Sequence, residues 1–342
     1  VSGLSDAAIA RLRQIGNWPE FESGRYTAIE EIGRGGMGTV FLAHDEVLGR
    51  DVAIKIPNGV ETSGERNQGL DRRLQLEARA LARLEHPGIV PIHDAGTLAD
   101  GRVFYVMKRV EGRTLRDYLQ AVPDTAARLR VFERICEPVA FAHARGVIHR
   151  DLKPENVMVG AFGEVMVMDW GTAKSVDSRE SLVESHSRQS QSSVVSPVVS
   201  PSHSDGTIIG TPGFMAPEQA RGDAIDGRAD VYGLGAMLFL VLTNELPPSS
   251  GDLDALLARH SVARPLRAIC VRALAADPSA RYQSVSALGE DVARYRAGLA
   301  VDAYRETMVE RTIRFARTYR TAILLVLAYI IMRTAVAVFA GW

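Results

Sequence analysis

Several short stretches of this sequence combine residue types and spacings suited to phosphate chemistry. VMVMDWG, residues 165 to 171, reads as an alternating apolar strand that ends on an acid, Asp169, and turns through Gly171. An acid at the mouth of a strand is a common way to hold a metal, and carboxylate oxygen suits a hard cation. GRGGMGTV places Gly33, Gly35 and Gly38 between two strand patterns. Glycines there let backbone N–H groups approach a phosphate, although a plain Gly-rich hairpin would show the same spacing. A strand rather than a helix follows the last glycine, which argues against a dinucleotide-binding turn. VAIK ends on Lys55, on the strand face opposite Val52, Ile54 and Ile56. Downstream, Leu70, Leu74, Leu81 and Leu84 form a helical stripe that also holds Glu77. A carboxylate on an inward face needs a cation, for which Lys55 is the best candidate. The alternative puts Glu77 at the stripe's exposed edge. The most specific stretch is HRDLKPEN, residues 149 to 156; GTPGFMAPE follows at 210 to 218.

The elements that must carry these residues divide the chain in two. YTAIEEIG, TVFLAHD and DVAIKI are strand-like, a helix is predicted from about Gln68 to Leu84, and strands recur near Val90–Ala95 and Val103–Met107. Helical patterns then dominate, at Thr125–Arg145, Arg228–Leu242, Leu266–Ala275 and Val285–Gly298. The expectation is an α+β protein with a small strand-rich lobe before a larger helical one. Its 342 residues suffice for about two such units. A formal charge of -1 gives no general attraction to nucleic acid. Cys136 and Cys270 lack partner spacing, which fits a reducing compartment and excludes a cysteine-based zinc cluster. Residues 5 to 15 read as a short amphipathic helix rather than a signal peptide.

HRDLKPEN, with the glycine loop, VAIK, DWG and MAPE in that order, resembles the eukaryotic-type (Hanks-type) protein kinases. The likeness is greatest to the bacterial serine/threonine branch, often joined to a membrane span, and covers roughly residues 26 to 298. It implies a bilobal kinase fold, with an N-lobe at about 26–107 and a C-lobe at about 111–298. A serine-rich insertion at 175–205 would interrupt the activation segment, and residues 1–25 would form an N-terminal extension. The implied activity is ATP-dependent phosphorylation of serine and threonine in proteins. Asp151 would accept the hydroxyl's proton, and Lys153 would neutralise the γ-phosphate. Asn156 and Asp169 would hold Mg²⁺ or, in its place, Mn²⁺. Lys55, positioned by Glu77, would contact the α- and β-phosphates. Ile32, Gly33, Gly35, Gly38, Val40, Ala53, Met107, Lys108 and Val110 would line the nucleotide site, with adenine against the strand near Met107.

The same resemblance places Thr211 near the catalytic loop, pairs Glu218 with Arg281, and sets Asp230 beneath that loop. Arg150 implies control by a phosphate in the activation segment, with Thr207, Thr211 and the insertion's serines as regulatory candidates; an inert linker is the rival reading of the insertion. Trp170 stands where the family usually has phenylalanine, and an indole can do the same apolar packing. A pseudokinase scaffold that binds ATP without transfer is the alternative, but none of Lys55, Glu77, Asp151, Asn156 and Asp169 is missing. A small-molecule phosphotransferase is disfavoured by GTPGFMAPE. Implied partners are protein substrates and a membrane, not nucleic acid, with homodimerisation through the small lobe a family habit.

The last residues make the membrane expectation concrete. Residues 299–321 read as a basic juxtamembrane segment bearing Arg311, Arg314, Arg317 and Arg320, and 322–342 as a candidate transmembrane helix. Arg333 costs about 2.5 to 3.5 kcal/mol on an insertion scale, against about 0.3 to 0.6 in favour from each apolar residue. Ten of these roughly offset or exceed it: Ile323, Leu324, Leu325, Val326, Leu327, Ile330, Ile331, Val336, Val338 and Phe339. The basic flank predicts a single-pass membrane protein with a cytoplasmic kinase domain. A surface-lying or partner-binding helix is the rival reading.

Overall fold

A computed structural model describes residues 18–21, 24–35, 38–58, 68–170, 174–175, 211–248 and 251–340. The first lobe contains β1 (Tyr26–Gly35), β2 (Gly38–Asp45), β3 (Arg50–Ile56), α1 (Gln68–Ala82), β4 (Ile92–Thr97) and β5 (Val103–Lys108). Its strands form one antiparallel sheet in the order β1-β2-β3-β5-β4. The period-2 pattern of β3 sorts its side chains as expected. Val52, Ile54 and Ile56 join Phe41, Phe104 and Val106 on one face, while Ala53 joins the main core on the other. The first face is covered by residues upstream of the strand pattern. Trp18 meets Phe41 edge-on at 5.6 Å and Phe21 meets Phe104 at 5.2 Å.

The second lobe begins with β6 (Arg113–Thr114), α2 (Leu115–Ala121) and α3 (Thr125–Ala144). Thr114 and Asp124 start these helices by accepting N–H bonds from Asp117 and from Ala126 and Ala127. The short strands β7 (Val147–Ile148), β8 (Val157–Val159), β9 (Val165–Val167) and β10 (Lys174–Ser175) follow, and β6, β8 and β9 form a small sheet. Then come α4 (Pro217–Arg221), α5 (Arg228–Thr243), α6 (Leu253–Arg259), α7 (Arg264–Ala273) and α8 (Val285–Arg296). α5 is apolar on nearly every side and is correspondingly the buried centre of the lobe, ending on Asn244 in the left-handed conformation at φ 63°. The short helices α2 and α6 did not stand out in the sequence, because seven residues give fewer than two full turns of pattern.

Packing continues past α8. The chain turns at Gly298 and returns, so that Val301 is buried in the main core and Asp291 accepts the N–H groups of Asp302 and Ala303. The stretch expected to be a basic juxtamembrane segment then forms α9 (Met308–Thr318), which is followed by α10 (Arg320–Ala340). Among the described residues, no helix is long and apolar enough to cross a membrane, so the transmembrane helix expected at 322–342 is not supported. Arg333 interrupts the apolar run, leaving an uncharged stretch of 12 residues, Thr321–Met332, between Arg320 and itself.

Candidate active site

Between the lobes, β3, α1, the loop after β7 and the loop after β9 bring the predicted residues together. Lys55 sits on β3 opposite Tyr105 of β5 and Val40 of β2. Its Nζ donates to both Glu77 carboxylate oxygens, at 2.9 and 3.0 Å, and to Asp169 Oδ1 at 2.7 Å. Glu77 is therefore inside the stripe, not at its edge: its side chain is fully buried, and that of Lys55 nearly so. A buried ammonium between two carboxylates must stay charged. Burial alone would lower its pKa, but Glu77 and Asp169 outweigh burial and hold it above the usual lysine range. Burial likewise works to raise Asp169, and Lys55 overrides it, keeping the carboxylate below its ordinary range. Asp169 has φ 57°, a conformation that costs a non-glycine residue energy and that the Lys55 bond helps to hold.

Tyr105 is the member of this network that the sequence did not suggest. Its hydroxyl donates to Glu77 Oε1 at 2.8 Å, and it is 2% exposed. In an apolar strand run a tyrosine reads as core, and only its polar tip hints at a partner. Tyr105→Phe removes one donor from a buried carboxylate. A stability loss of about 1.5–3 kcal/mol is expected in urea unfolding; an unchanged midpoint would show that the hydroxyl holds nothing.

The loop 149–156 hangs from Asp230 at the start of α5. Asp230 accepts the backbone N–H groups of His149 and Arg150, each at 2.8 Å, and His143 Nε2 at 2.7 Å. His149 is buried, donates through Nε2 to Met168 O at 3.0 Å, and packs against the Trp170 ring at 4.6 Å. The indole is fully buried and gives its own N–H to Val167 O, so the larger ring is accommodated with its polar atom satisfied. At the loop's front, Asp151 Oδ2 accepts from Lys153 Nζ at 2.7 Å and Oδ1 accepts from the Thr211 hydroxyl at 2.9 Å. Lys153 also donates to Thr211 Oγ1 at 3.1 Å. Asn156 donates through Nδ2 to Asp151 O at 2.8 Å, which leaves its amide oxygen for a cation. Behind Thr211, the Arg281 guanidinium fills all five of its donor positions. It makes a two-point bond to Glu218 at 2.6 and 2.7 Å, and donates to the carbonyls of Ala275, Ala276 and Arg228.

The predicted nucleotide-lining residues lie on β1, β2, β3 and β5 or just beyond β5. Ile32 is half exposed on β1, Gly33 pairs with Val40 across the hairpin, and Ala53 faces Met107 in the ladder. Lys108 closes β5, and Val110 packs against the main core beyond it. Of the three loop glycines only Gly38 is sterically required, since a Cβ there would stand 2.4 Å from Ile56 O. Gly171, Thr207 and nearly all of the serine-rich insertion lie outside the described residues. Among those described, no cluster of three or more His, Cys, Asp or Glu side chains could hold a metal ion. Asn156 and Asp169 offer two hard oxygens, the Asp169 side chain being 43% exposed. That donor set fits a hard divalent cation whose remaining positions are filled by phosphate and water.

Comparison with known proteins gives this arrangement a context. A family model described as the protein kinase domain matches residues 26–291. The serine/threonine-protein kinase PknD of Chlamydia caviae is 36% identical over 299 residues, covering 80% of this chain and 31% of its own length. The serine/threonine-protein kinase PknB of Mycobacterium tuberculosis is 36% identical over 315 residues, covering 86% of this chain and 46% of its own length. This chain thus spans about a third of the PknD relative and less than half of PknB. The crystal structure of the PknI kinase domain of Mycobacterium tuberculosis superimposes with a TM-score of 0.58 at 23% identity, over 80% of this chain and 96% of that one. That likeness shows the bilobal fold, with a strand-rich first lobe and a helical second.

Proposed function

The chain belongs to the protein kinase family, and on that premise we propose that it is an ATP-dependent serine/threonine protein kinase, transferring the γ-phosphoryl group to hydroxyls of protein substrates. The observation that carries this reading is the hydroxyl already seated in the site. Thr211 stands on Asp151 at 2.9 Å and Lys153 at 3.1 Å, as a substrate serine or threonine would. In the reaction the acceptor oxygen bonds to the γ-phosphorus as the β–γ bridging bond breaks and ADP leaves. Asp151 takes the hydroxyl's proton, and Lys153 neutralises charge on the moving phosphoryl group. Lys55, fixed by Glu77, holds the α- and β-phosphates, and Ala53, Met107 and the 108–110 backbone receive the adenine.

The family uses ATP with a divalent metal, which we take to be Mg²⁺, held by Asn156 and Asp169. When bound it supplies positive charge to the phosphate oxygens. All of Lys55, Glu77, Asp151, Asn156 and Asp169 are in place, so no observation favours the pseudokinase. The expected result with radiolabelled ATP is transfer to a generic protein acceptor, recovered as phosphoserine and phosphothreonine. Transfer to sugars or antibiotics with none to protein would overturn the reading.

Regulation by a phosphate in the activation segment belongs to the same proposal. It is supported by Arg150, whose Nε is buried without a hydrogen-bond partner among the described residues and whose pKa is lowered by that burial. Thr207 and the serines of 175–205 are the proposed acceptors; Thr211 is engaged at the catalytic loop instead. We also propose attachment to the cell membrane through the C-terminal helices, with the catalytic lobes on the cytoplasmic side, where ATP is. The support is the exposed apolar surface of α10, including Leu324, Leu325, Leu327 and Ile331, and the arginines before it. Pairing of two copies through the first lobe rests on family habit and is tested by sedimentation at rising concentration.

A further inference from the structure

Among the described residues, α9 presents an unpartnered face with a definite chemistry. Met308, Val309 and Ile313 are 80%, 67% and 55% exposed. At 100° per residue they fall within an arc of about 140°, and Arg311 and Arg314 fall outside it. The acids of this stretch are already used within the fold. Glu310 accepts from the Thr307 N–H and hydroxyl, from the Tyr304 hydroxyl and from Arg264 of α7, and these donors lower its pKa to about 2. Glu306 accepts from Arg314. Arg311 remains exposed beside the apolar arc, and Arg320 is exposed at the start of α10. Residues 305–320 carry five arginines against two glutamates, a net charge of +3.

We propose that α9 lies in the plane of an anionic lipid surface, with Met308, Val309 and Ile313 in the acyl boundary and Arg311 and Arg320 among the headgroups. Charge decides for lipid over a protein groove, because exposed Arg311 flanks the apolar face, exposed Arg320 follows it, and the acids are spent internally. α10, which follows, also exposes apolar side chains, Leu324, Leu325 and Ile331 among them. The consequence is orientational. Glu310 clamps α9 to Arg264, and Val301 anchors the preceding turn in the core. The second lobe would therefore face the membrane in one fixed pose, which directs transfer towards acceptors near that surface. This inference rests on the membrane attachment proposed above and adds the part of the chain that meets the lipid.

The two native cysteines are buried, so a single exposed cysteine can be labelled selectively. Val309→Cys in the full chain, carrying a polarity-sensitive NBD probe, is to be mixed with phosphatidylcholine vesicles with and without one-third phosphatidylglycerol. A blue shift is expected with the anionic vesicles and not with the neutral ones. Adding Arg311→Gln and Arg320→Gln should weaken the shift-derived partitioning by about fivefold per arginine. Flotation on the same samples reads attachment itself. A chain that floats without a probe shift overturns the inference alone, and a chain that does not float overturns the attachment reading with it. An equal shift on neutral vesicles would remove the role of charge. A concentration-dependent shift without vesicles would assign the face to a second copy of the chain.

Discussion

Asp151→Asn should lower phosphate transfer by about 10²- to 10⁴-fold while leaving nucleotide binding nearly intact. Asparagine keeps the shape of the side chain and one acceptor, so Thr211 or a substrate hydroxyl can still be held. It cannot accept the proton, and its amide nitrogen would face either Lys153 or the hydroxyl, both of which are donors in the present geometry. The nucleotide-holding groups form a separate network. Lys55, Glu77 and Asp169 bond to one another, and no bond among them runs through Asp151. Single-turnover rates with titrated nucleotide separate the two effects. A variant that loses binding in step with transfer would show that Asp151 organises the site rather than acting on the proton.

Arg281→Met should destabilise the protein by about 3–5 kcal/mol, the usual cost of leaving one partner of a buried ion pair alone. Arg281 is completely buried and Glu218 is 7% exposed at its side chain, so water cannot replace the lost donors. Three carbonyls lose a partner along with the carboxylate. Methionine fills most of the volume, so the loss reports polarity rather than a cavity. Adding Glu218→Met should recover a large part of it, because two apolar side chains can replace a buried ion pair at little cost. Urea unfolding of the single and double variants measures both quantities. A single variant within about 0.5 kcal/mol of the parent would contradict the assignment, 0.5 being the range of ordinary surface changes.

Much of the site was legible because chemistry and period coincide in it. The alternation in DVAIKI separates Lys55 from Val52, Ile54 and Ile56, and the α1 stripe turns Glu77 inward, so the ion pair follows from two simple patterns. HRDLKPEN and GTPGFMAPE are dense enough to identify a catalytic loop and the segment that meets it. Other features were invisible for physical reasons. Tyr105 looks like any aromatic in a buried strand until its hydroxyl is placed beside Glu77. Trp18 and Phe21 lie before the first strand pattern, and only the folded sheet shows the apolar face they cover. The arginine-rich stretch after Gly298 reads only as a basic juxtamembrane segment, since its docking depends on single contacts at Val301, Asp291 and Glu310. Over 322–342 the apolar residues outweigh Arg333 in number and predict a span, whereas among the described residues no helix is long and apolar enough to cross a membrane.

The central claim is that this chain transfers phosphate with Asp151 at the hydroxyl and Asp169 at the metal. The most direct test is the intact mass of the full chain, purified in mild detergent, dephosphorylated, then incubated with ATP and Mg²⁺ beside Asp151→Asn and Asp169→Ala. The account predicts stepwise gains of one phosphate in the parent and none in either variant. A parent that binds nucleotide yet gains no mass, or an Asp151→Asn variant that gains mass at the parent's rate, would contradict it.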